Sequence, residues 1–217
     1  MRRRILTMQI APALCWMNMP WPMNSACRAP VREVMRQMAG EGYIELEPNR
    51  PARAAAMGHQ SLRDFFLFAP LVFVASTRLA AERHSRAELD GLKEIQRQFR
   101  AAIAAGDVEA RVFENDRFHL RIGEMAHNAY VLPSLRRCQI DHARIAMTFY
   151  ADHGTAQSPR RMMERDEAAQ QHDEIIDAIA ARDPDTAEAL VRAHLELSRR
   201  NMASYAAPAS MNLRIVS

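Results

Sequence analysis

The sequence predicts a mainly helical protein in which a turn-rich N-terminal part precedes an antiparallel bundle of about six helices. Glycine is scarce, with 7 in 217 residues, whereas the helix formers Ala, Leu, Arg, Glu and Met are frequent. Six of the 11 prolines fall in residues 1–51 and none lies between Leu71 and Leu132, which leaves a long stretch free of helix breakers. A chain of this length, 48% hydrophobic, can form one or two domains with a substantial core.

A short helix followed by two short strands is predicted in the N-terminal part. Pro30 suits the first turn of the helix, and Gly40 ends it. The apolar residues of this helix recur at three- and four-residue spacing and are Val31, Val34, Met35 and Met38. Residues 43–47 alternate apolar and acidic side chains, 48–51 form a turn, and 52–56 can return as the second strand. A helix followed by a hairpin with a basic tip is the pattern of a winged helix-turn-helix.

Six helices of about 20 residues are predicted in the rest of the chain. Ser85 with Glu88 forms a capping box, and Asp107 and Pro184 mark further helix starts. The predicted helices cover residues 62–83, 85–105, 107–127, 128–154, 158–182 and 183–205. Their connections are short, so neighbouring helices should run antiparallel. The domains expected from this pattern are a winged part at 1–56, a linker at 57–60, a helical bundle at 61–206 and a tail at 207–217.

Composition and motifs exclude several classes of protein. The sequence contains neither a glycine-rich dinucleotide motif nor a P-loop. Its three cysteines form no C-x-x-C pair, which argues against a thiolate zinc site and a disulfide framework. The longest apolar run, residues 65–75, is shorter than a membrane span, and polar residues interrupt the signal-like start of the chain. We therefore expect a cytoplasmic protein without membrane partners.

Positive charge is concentrated in the first part, where residues 1–56 hold eight arginines against four glutamates. Such a basic module favours a polyanionic partner. Residues 27–52, CRAPVREVMRQMAGEGYIELEPNRPA, resemble the recognition helix and wing of the GntR superfamily in their R-x-P-V-R-E core, E-G pair and P-N-R turn. The resemblance implies a DNA operator as partner. The residues that it places at the DNA are Arg28, Pro30 and Arg32 on the helix, and Asn49 and Arg50 on the wing.

The same stretch departs from the family pattern upstream. Residues 11–25 contain Pro20 and Pro22 where the family has the leading helix of the helix-turn-helix. Two prolines in three residues should abolish a regular helix, since one in a helix interior costs about 3 kcal/mol. The DNA-binding unit is therefore expected to be incomplete.

Residues 61–205 resemble the ligand-binding FCD domain of the FadR-like GntR subfamily. The resemblance rests on the segments 115–122 (NDRFHLRI), 126–132 (AHNAYVL), 172–179 (HDEIIDAI) and 193–195 (AHL). It implies a divalent metal, Zn, Ni or Mn, held by His119, His172 and His194. Asn115 stands where the family has aspartate, which keeps an oxygen but removes a negative charge, and Asp116 is the alternative ligand.

The spacing of the histidines supports the same set independently. His172 lies 11 residues before Asp183 and His194 lies 11 after it, so helices folded back at that turn bring both to one height. Asn115 and His119 are four residues apart on one helix face. A single histidine is more often a surface or core residue than a ligand, and only the paired register with the resemblance favours metal. The histidines expected to face solvent or loops are His59, His84, His142 and His153.

The resemblance implies a ligand-responsive, DNA-binding transcription repressor that is a homodimer and not an enzyme. Its effector would be a small carboxylate, such as a hydroxy acid or sugar acid, bound through the metal and one of Arg121, Arg136 and Arg144. Two alternatives stay open. One is a remnant that binds effector without specific DNA binding, and the other is a hydrolase in which a three-histidine metal activates water.

Overall fold

The computed structural model describes residues 1–10, 28–152 and 159–206, and this part of the chain is mainly helical, as predicted. Its elements are α1 (Arg2–Leu6), α2 (Arg28–Gly40), β1 (Ile44–Glu45), β2 (Arg53–Ala54), α3 (His59–Arg83), α4 (Arg86–Ala105), α5 (Val108–Met125), α6 (Val131–Asp152), α7 (Pro159–Ala180) and α8 (Pro184–Ala206). The proline-containing residues 11–25 and the tail 207–217, for which we made predictions, lie outside the described residues.

The N-terminal module has a small core of its own. Its β1 and β2 pair antiparallel, and Asn49 adopts a left-handed conformation, φ 58°, at the tip between them. The buried residues of the module are Ile5, Ile10, Met38, Ile44 and Ala54. Helix α1 was not predicted, and Ile5 anchors it with no exposed surface. The predicted apolar face of α2 is wrong in part, because Val31 and Val34 are exposed while Met38 is buried.

The helices α3 to α8 form the bundle. Helix α3 lies at its centre and contacts α5, α6, α7 and α8, while α4 covers α5 and α7. The predicted capping box is present: the Ser85 backbone N–H donates to Glu88, whose own N–H donates to Ser85 Oγ. Asp107 caps α5, and Gly106, at φ 68°, ends α4. One continuous apolar core runs through the bundle and includes Leu92, Phe118 and Ile175.

Helix α3 is the most apolar of the described helices. It continues through Pro70, and by length and composition alone it could cross a membrane. Its Ala69, Val72 and Phe73 are buried in the bundle, whereas Leu67, Phe68 and Leu71 are exposed. Burial of this kind is typical of a core helix, and we attach no membrane role to it.

The N-terminal module contacts the bundle through α5 and α6. Leu6 packs against a cluster that contains Val112 and Ala146. Arg3 Nε donates to Glu109 Oε1 on α5 over 2.6 Å. These contacts join the module to α5, which carries His119, and to α6, which carries His142.

Candidate metal centre

Three histidines from three helices meet inside the bundle. His119 on α5, His172 on α7 and His194 on α8 are at most 3% exposed. One ring nitrogen of each lies within 4.8 Å of those of the other two. His172 Nε2 and His194 Nε2 are 3.3 Å apart, so the equal-height register predicted from the turn at Asp183 is confirmed.

Burial keeps these imidazoles neutral. It lowers the pKa of His119 and His172 well below the usual 6.5, and that of His194 to about 4. Loss of hydration is the largest cause in each case, and the neighbouring histidines add repulsion. Neutral imidazole is the form that ligates a metal. Metal binding at neutral pH therefore does not require these histidines to lose a positive charge first.

A buried glutamine fixes the tautomer of His172. Gln96 Nε2 donates to Ala169 O over 2.8 Å and to Asp173 Oδ1 over 2.9 Å, so its amide orientation is settled. Its Oε1 therefore faces His172 Nδ1, 3.1 Å away, and that nitrogen must donate. Since the neutral ring carries one proton, His172 Nε2 is left with a lone pair that points into the cluster.

His194 is held in a similar way. Gln171 Nε2 donates to Glu167 Oε1 over 3.4 Å, so Gln171 Oε1 faces His194 Nδ1, 3.1 Å away, and that nitrogen donates to it. Two lone pairs, on His172 Nε2 and His194 Nε2, therefore face each other across 3.3 Å. A cation between them removes that repulsion, and two Zn–N bonds of about 2.0–2.1 Å at a tetrahedral angle span about 3.3 Å. The donor set thus fits a divalent ion that prefers imidazole.

Asp116, the carboxylate considered above as an alternative ligand, is engaged elsewhere. Asp116 Oδ1 accepts from His142 Nδ1 at 3.2 Å, and the Asn115 side chain also hydrogen-bonds Asp116. Desolvation raises the pKa of Asp116, although these hydrogen bonds oppose it. Asn115 is half-buried one turn before His119. Asp116 stands outside the histidine group found among the described residues.

Two of the histidines that we expected to face solvent or to lie in loops are buried. His84 does lie in the loop between α3 and α4, whereas His142 lies within α6, so the prediction is wrong for His142. His84 is 6% exposed and its Nδ1 donates to Ala80 O over 2.9 Å. His142 is 8% exposed. His142 lies on a face of α6 that only the packing of neighbouring helices covers, and a lone polar residue carries no periodicity that would reveal this.

A cavity of about 180 Å³ opens beside the cluster, between α3 and α8. Its apolar lining consists of Phe65, Phe66, Ala69, Pro70, Phe73 and Leu195. Its polar lining consists of His142, Arg192, Glu196, Ser198 and Arg199. The Phe73 ring lies 5.0 Å from the His119 ring and 6.4 Å from the His142 ring, centroid to centroid. The cavity and the histidine cluster therefore share Phe73 as a wall.

The three arginines suggested for the effector lie elsewhere in the bundle. Arg121 Nη1 is 3.3 Å from Glu124, and the exposed Arg136 is 4.0 Å from the same carboxylate. Arg144 is fully buried, and its Nη2 donates to Ala55 O over 2.7 Å. None of the three is among the residues that line the cavity beside the cluster.

The residues suggested for DNA lie on α2 and on the hairpin. Arg28 and Pro30 are in the first turn of α2, and Arg32 is exposed one turn further on. Asn49 and Arg50 are exposed at the hairpin tip, where Arg50 Nη1 donates to Glu47 over 2.6 Å.

The chain matches one protein family and is similar to several solved structures. The FCD domain family matches residues 74–197. E. coli McbR/YncC is 14% identical, with 94% of each chain covered and a TM-score of 0.73. A GntR transcriptional regulator from Rhodococcus sp. RHA1 is 15% identical, with 94% of this chain and 93% of that chain covered and a TM-score of 0.64. No curated protein matches the chain.

A third solved structure, Streptococcus agalactiae GntR, is 18% identical, with 90% of this chain and 93% of that chain covered and a TM-score of 0.53. At such identities the likeness establishes the fold, and it extends over the N-terminal module as well as the bundle. The FCD match covers more than half of the chain and contains all three histidines of the cluster. The chain belongs to the FCD domain family.

Proposed function

We propose that the chain is a ligand-responsive, DNA-binding transcription repressor whose bundle holds one divalent ion, Zn, Ni or Mn, through His119, His172 and His194. The observation that carries the metal part is the facing pair of imidazole lone pairs at 3.3 Å, each fixed by a glutamine at the opposite ring nitrogen. When bound, the ion supplies positive charge in a buried place, which draws a small carboxylate effector towards the bundle.

Arg32, Asn49 and Arg50 are proposed to contact an operator. All three are exposed, and they belong to the N-terminal module, residues 1–56, which carries an excess of four positive charges. An arginine fork can donate twice to guanine or to a phosphate, and a helix N-terminus such as that of α2 favours phosphate oxygens. Two such modules, one from each protomer of a homodimer, would read the two halves of a symmetric site.

Helix α6 is proposed to couple the two parts. It carries His142, which lines the cavity, and Arg144, whose guanidinium holds Ala55 O just after the hairpin. Arg137 on the same helix lies so close to Gly42 that a Cβ there would collide with it. A displacement of α6 caused by an effector therefore reaches the hairpin through direct contacts.

We infer that the chain is not an enzyme. A hydrolase built on a three-histidine metal needs a proton acceptor at the open position. Asp116, three residues before His119, is held by His142 instead.

DNA binding is tested on the gene's own upstream region by gel shift across a range of salt concentrations. We expect Arg32→Ala and Arg50→Ala each to weaken specific binding by about 1–3 kcal/mol, and to weaken binding to a scrambled duplex less. Arg97→Ala is the matched control, because Arg97 is exposed on α4 and pairs with Glu94 within that helix. Equal losses of binding free energy on the specific and scrambled duplexes would refute the proposal of a sequence-specific regulator. The alternative of a remnant that binds effector without specific DNA binding would then remain.

A further inference from the structure

We propose that the cavity between α3 and α8 takes a compact apolar monocarboxylate of about the size of benzoate, and not a sugar acid or a small hydroxy acid. This inference rests on the proposed function, since it names the class of carboxylate effector. The apolar body of the ligand would lie inside the cavity and its carboxylate at the mouth, on α8.

The inner walls of the cavity favour hydrocarbon. Three phenylalanines, an alanine, a proline and a leucine line it. His142 is the polar residue at the side shared with Phe73, and its Nδ1 is occupied by Asp116. A sugar acid would bring four or five hydroxyl groups against these walls. Each hydroxyl without a partner weakens binding by about fivefold or more, whereas each buried CH₂ tightens it by about fourfold.

The size of the cavity sets the size of the ligand. An enclosed apolar cavity of about 150 Å³ accepts benzene, and one water occupies about 30 Å³ of liquid. The cavity here, about 180 Å³, therefore has room for one six-membered ring or a branched chain of similar bulk. A fused ring system or a long fatty acyl chain would exceed this volume and extend out of the mouth.

The mouth of the cavity provides the charge. Arg192 and Arg199 lie two helical turns apart on one face of α8, with Leu195 between them. Both guanidinium groups are about half exposed, and their partners are acids on the same helix: Arg192 pairs with Glu188, and Arg199 with Glu196. A carboxylate there stays partly hydrated and gains charge-assisted hydrogen bonds, which avoids the cost of burying an anion.

The test is calorimetric titration of the metal-loaded full-length protein with four probes: benzoate, cyclohexanecarboxylate, gluconate and benzyl alcohol. We expect the first two to bind at least tenfold more tightly than gluconate. Benzyl alcohol, which has the ring without the charge, should bind about tenfold more weakly than benzoate.

Two variants connect that binding to this cavity. Ala69→Leu fills it and should weaken benzoate at least tenfold while metal binding is kept, since Ala69 is not part of the histidine cluster. Arg199→Gln changes only an exposed side chain, so folding is preserved, and it should weaken benzoate but not benzyl alcohol. Leu71→Ala, at a 61% exposed site on α3, is the control and should change neither.

The outcomes separate this inference from the proposed function. Tighter binding of gluconate than of benzoate would overturn the apolar class and leave a carboxylate effector in place. Equal binding of benzoate and benzyl alcohol, or benzoate binding unchanged by Ala69→Leu and Arg199→Gln, would overturn the placement in this cavity. Failure of every carboxylate to bind would overturn the effector function together with the inference.

Discussion

Gln96 offers a sharp test of how the histidine cluster is organised. It is 3% exposed on α4. Its Oε1 accepts a hydrogen bond from His172 Nδ1, while its Nε2 donates to Ala169 O and to Asp173. In Gln96→Leu the new side chain is of similar size, but it can accept no hydrogen bond. His172 then loses the partner that keeps its Nε2 lone pair directed into the cluster.

Two quantities change in this variant. The buried Nδ1–H of His172 is left without a partner, which should lower the free energy of unfolding by about 1–3 kcal/mol. Loss of the group that orients a metal-ligating histidine typically lowers metal affinity by about 10- to 100-fold, or roughly 1.4–2.7 kcal/mol. Asp173 keeps an ion pair with Arg100, so the surface beside Gln96 is less affected.

The assay is competition for Zn²⁺ against a chelator of known affinity, together with the ¹⁵N shifts of His172 in metal-free protein. We expect the weaker zinc binding given above and a rise in the Nε2–H tautomer of His172. Gln98→Leu, two residues along the same helix where the amide accepts from Arg117, is the control and should change neither. Zinc affinity within twofold of the original chain, with an unchanged tautomer, would refute the reasoning.

Two further predictions concern the buried ionisable side chains His194 and Arg144. In metal-free protein the free energy of unfolding should fall as the pH drops from 6.5 towards 4, because the unfolded chain binds protons that His194, with its pKa lowered to about 4, does not. In urea melts at pH 7 and 5, His194→Gln should reduce this fall by about 2 kcal/mol, and equal slopes would contradict it. Arg144→Met removes both a costly buried charge and the donor to Ala55 O, so global stability should change by less than about 2 kcal/mol while the module loosens from the bundle. Trypsin cleavage after Arg53 and after Arg63, which flank the connection to the bundle, should then accelerate several-fold relative to Arg136→Met, and an unchanged rate would rule out the coupling contact.

The bundle was predictable because its signals are local. Ser85 with Glu88 and the Asp107 cap define helix ends through contacts within four residues, and both are formed. The His172–His194 register was predictable for a related reason: an equal count of residues on either side of a short turn fixes height without any knowledge of the other helices. With those two histidines at one height, His119 from a third helix completes the cluster.

The rest depends on contacts between segments distant in sequence. Glutamine is mostly a surface residue, so nothing in the sequence marks Gln96 as the buried partner of His172, 76 positions away. Arg144 was suggested for the effector because it is an arginine in the bundle, yet its guanidinium lies against Ala55, 89 positions away. Helix α1 was not predicted because a helix of five residues shows too little periodicity. The burial of Ile5 depends on tertiary packing, which the local sequence does not reveal.

Metal binding by the three histidines is the central claim, and equilibrium dialysis of chelator-stripped protein tests it most directly. With Zn²⁺, Ni²⁺ and Mn²⁺ offered in turn, we expect about one ion bound per chain for at least one metal. Replacing His119, His172 and His194 together by alanine should abolish it, whereas His127→Ala, at an exposed turn paired with Glu88, should not. Absence of binding by the unaltered chain, or binding that survives the triple replacement, would contradict the claim.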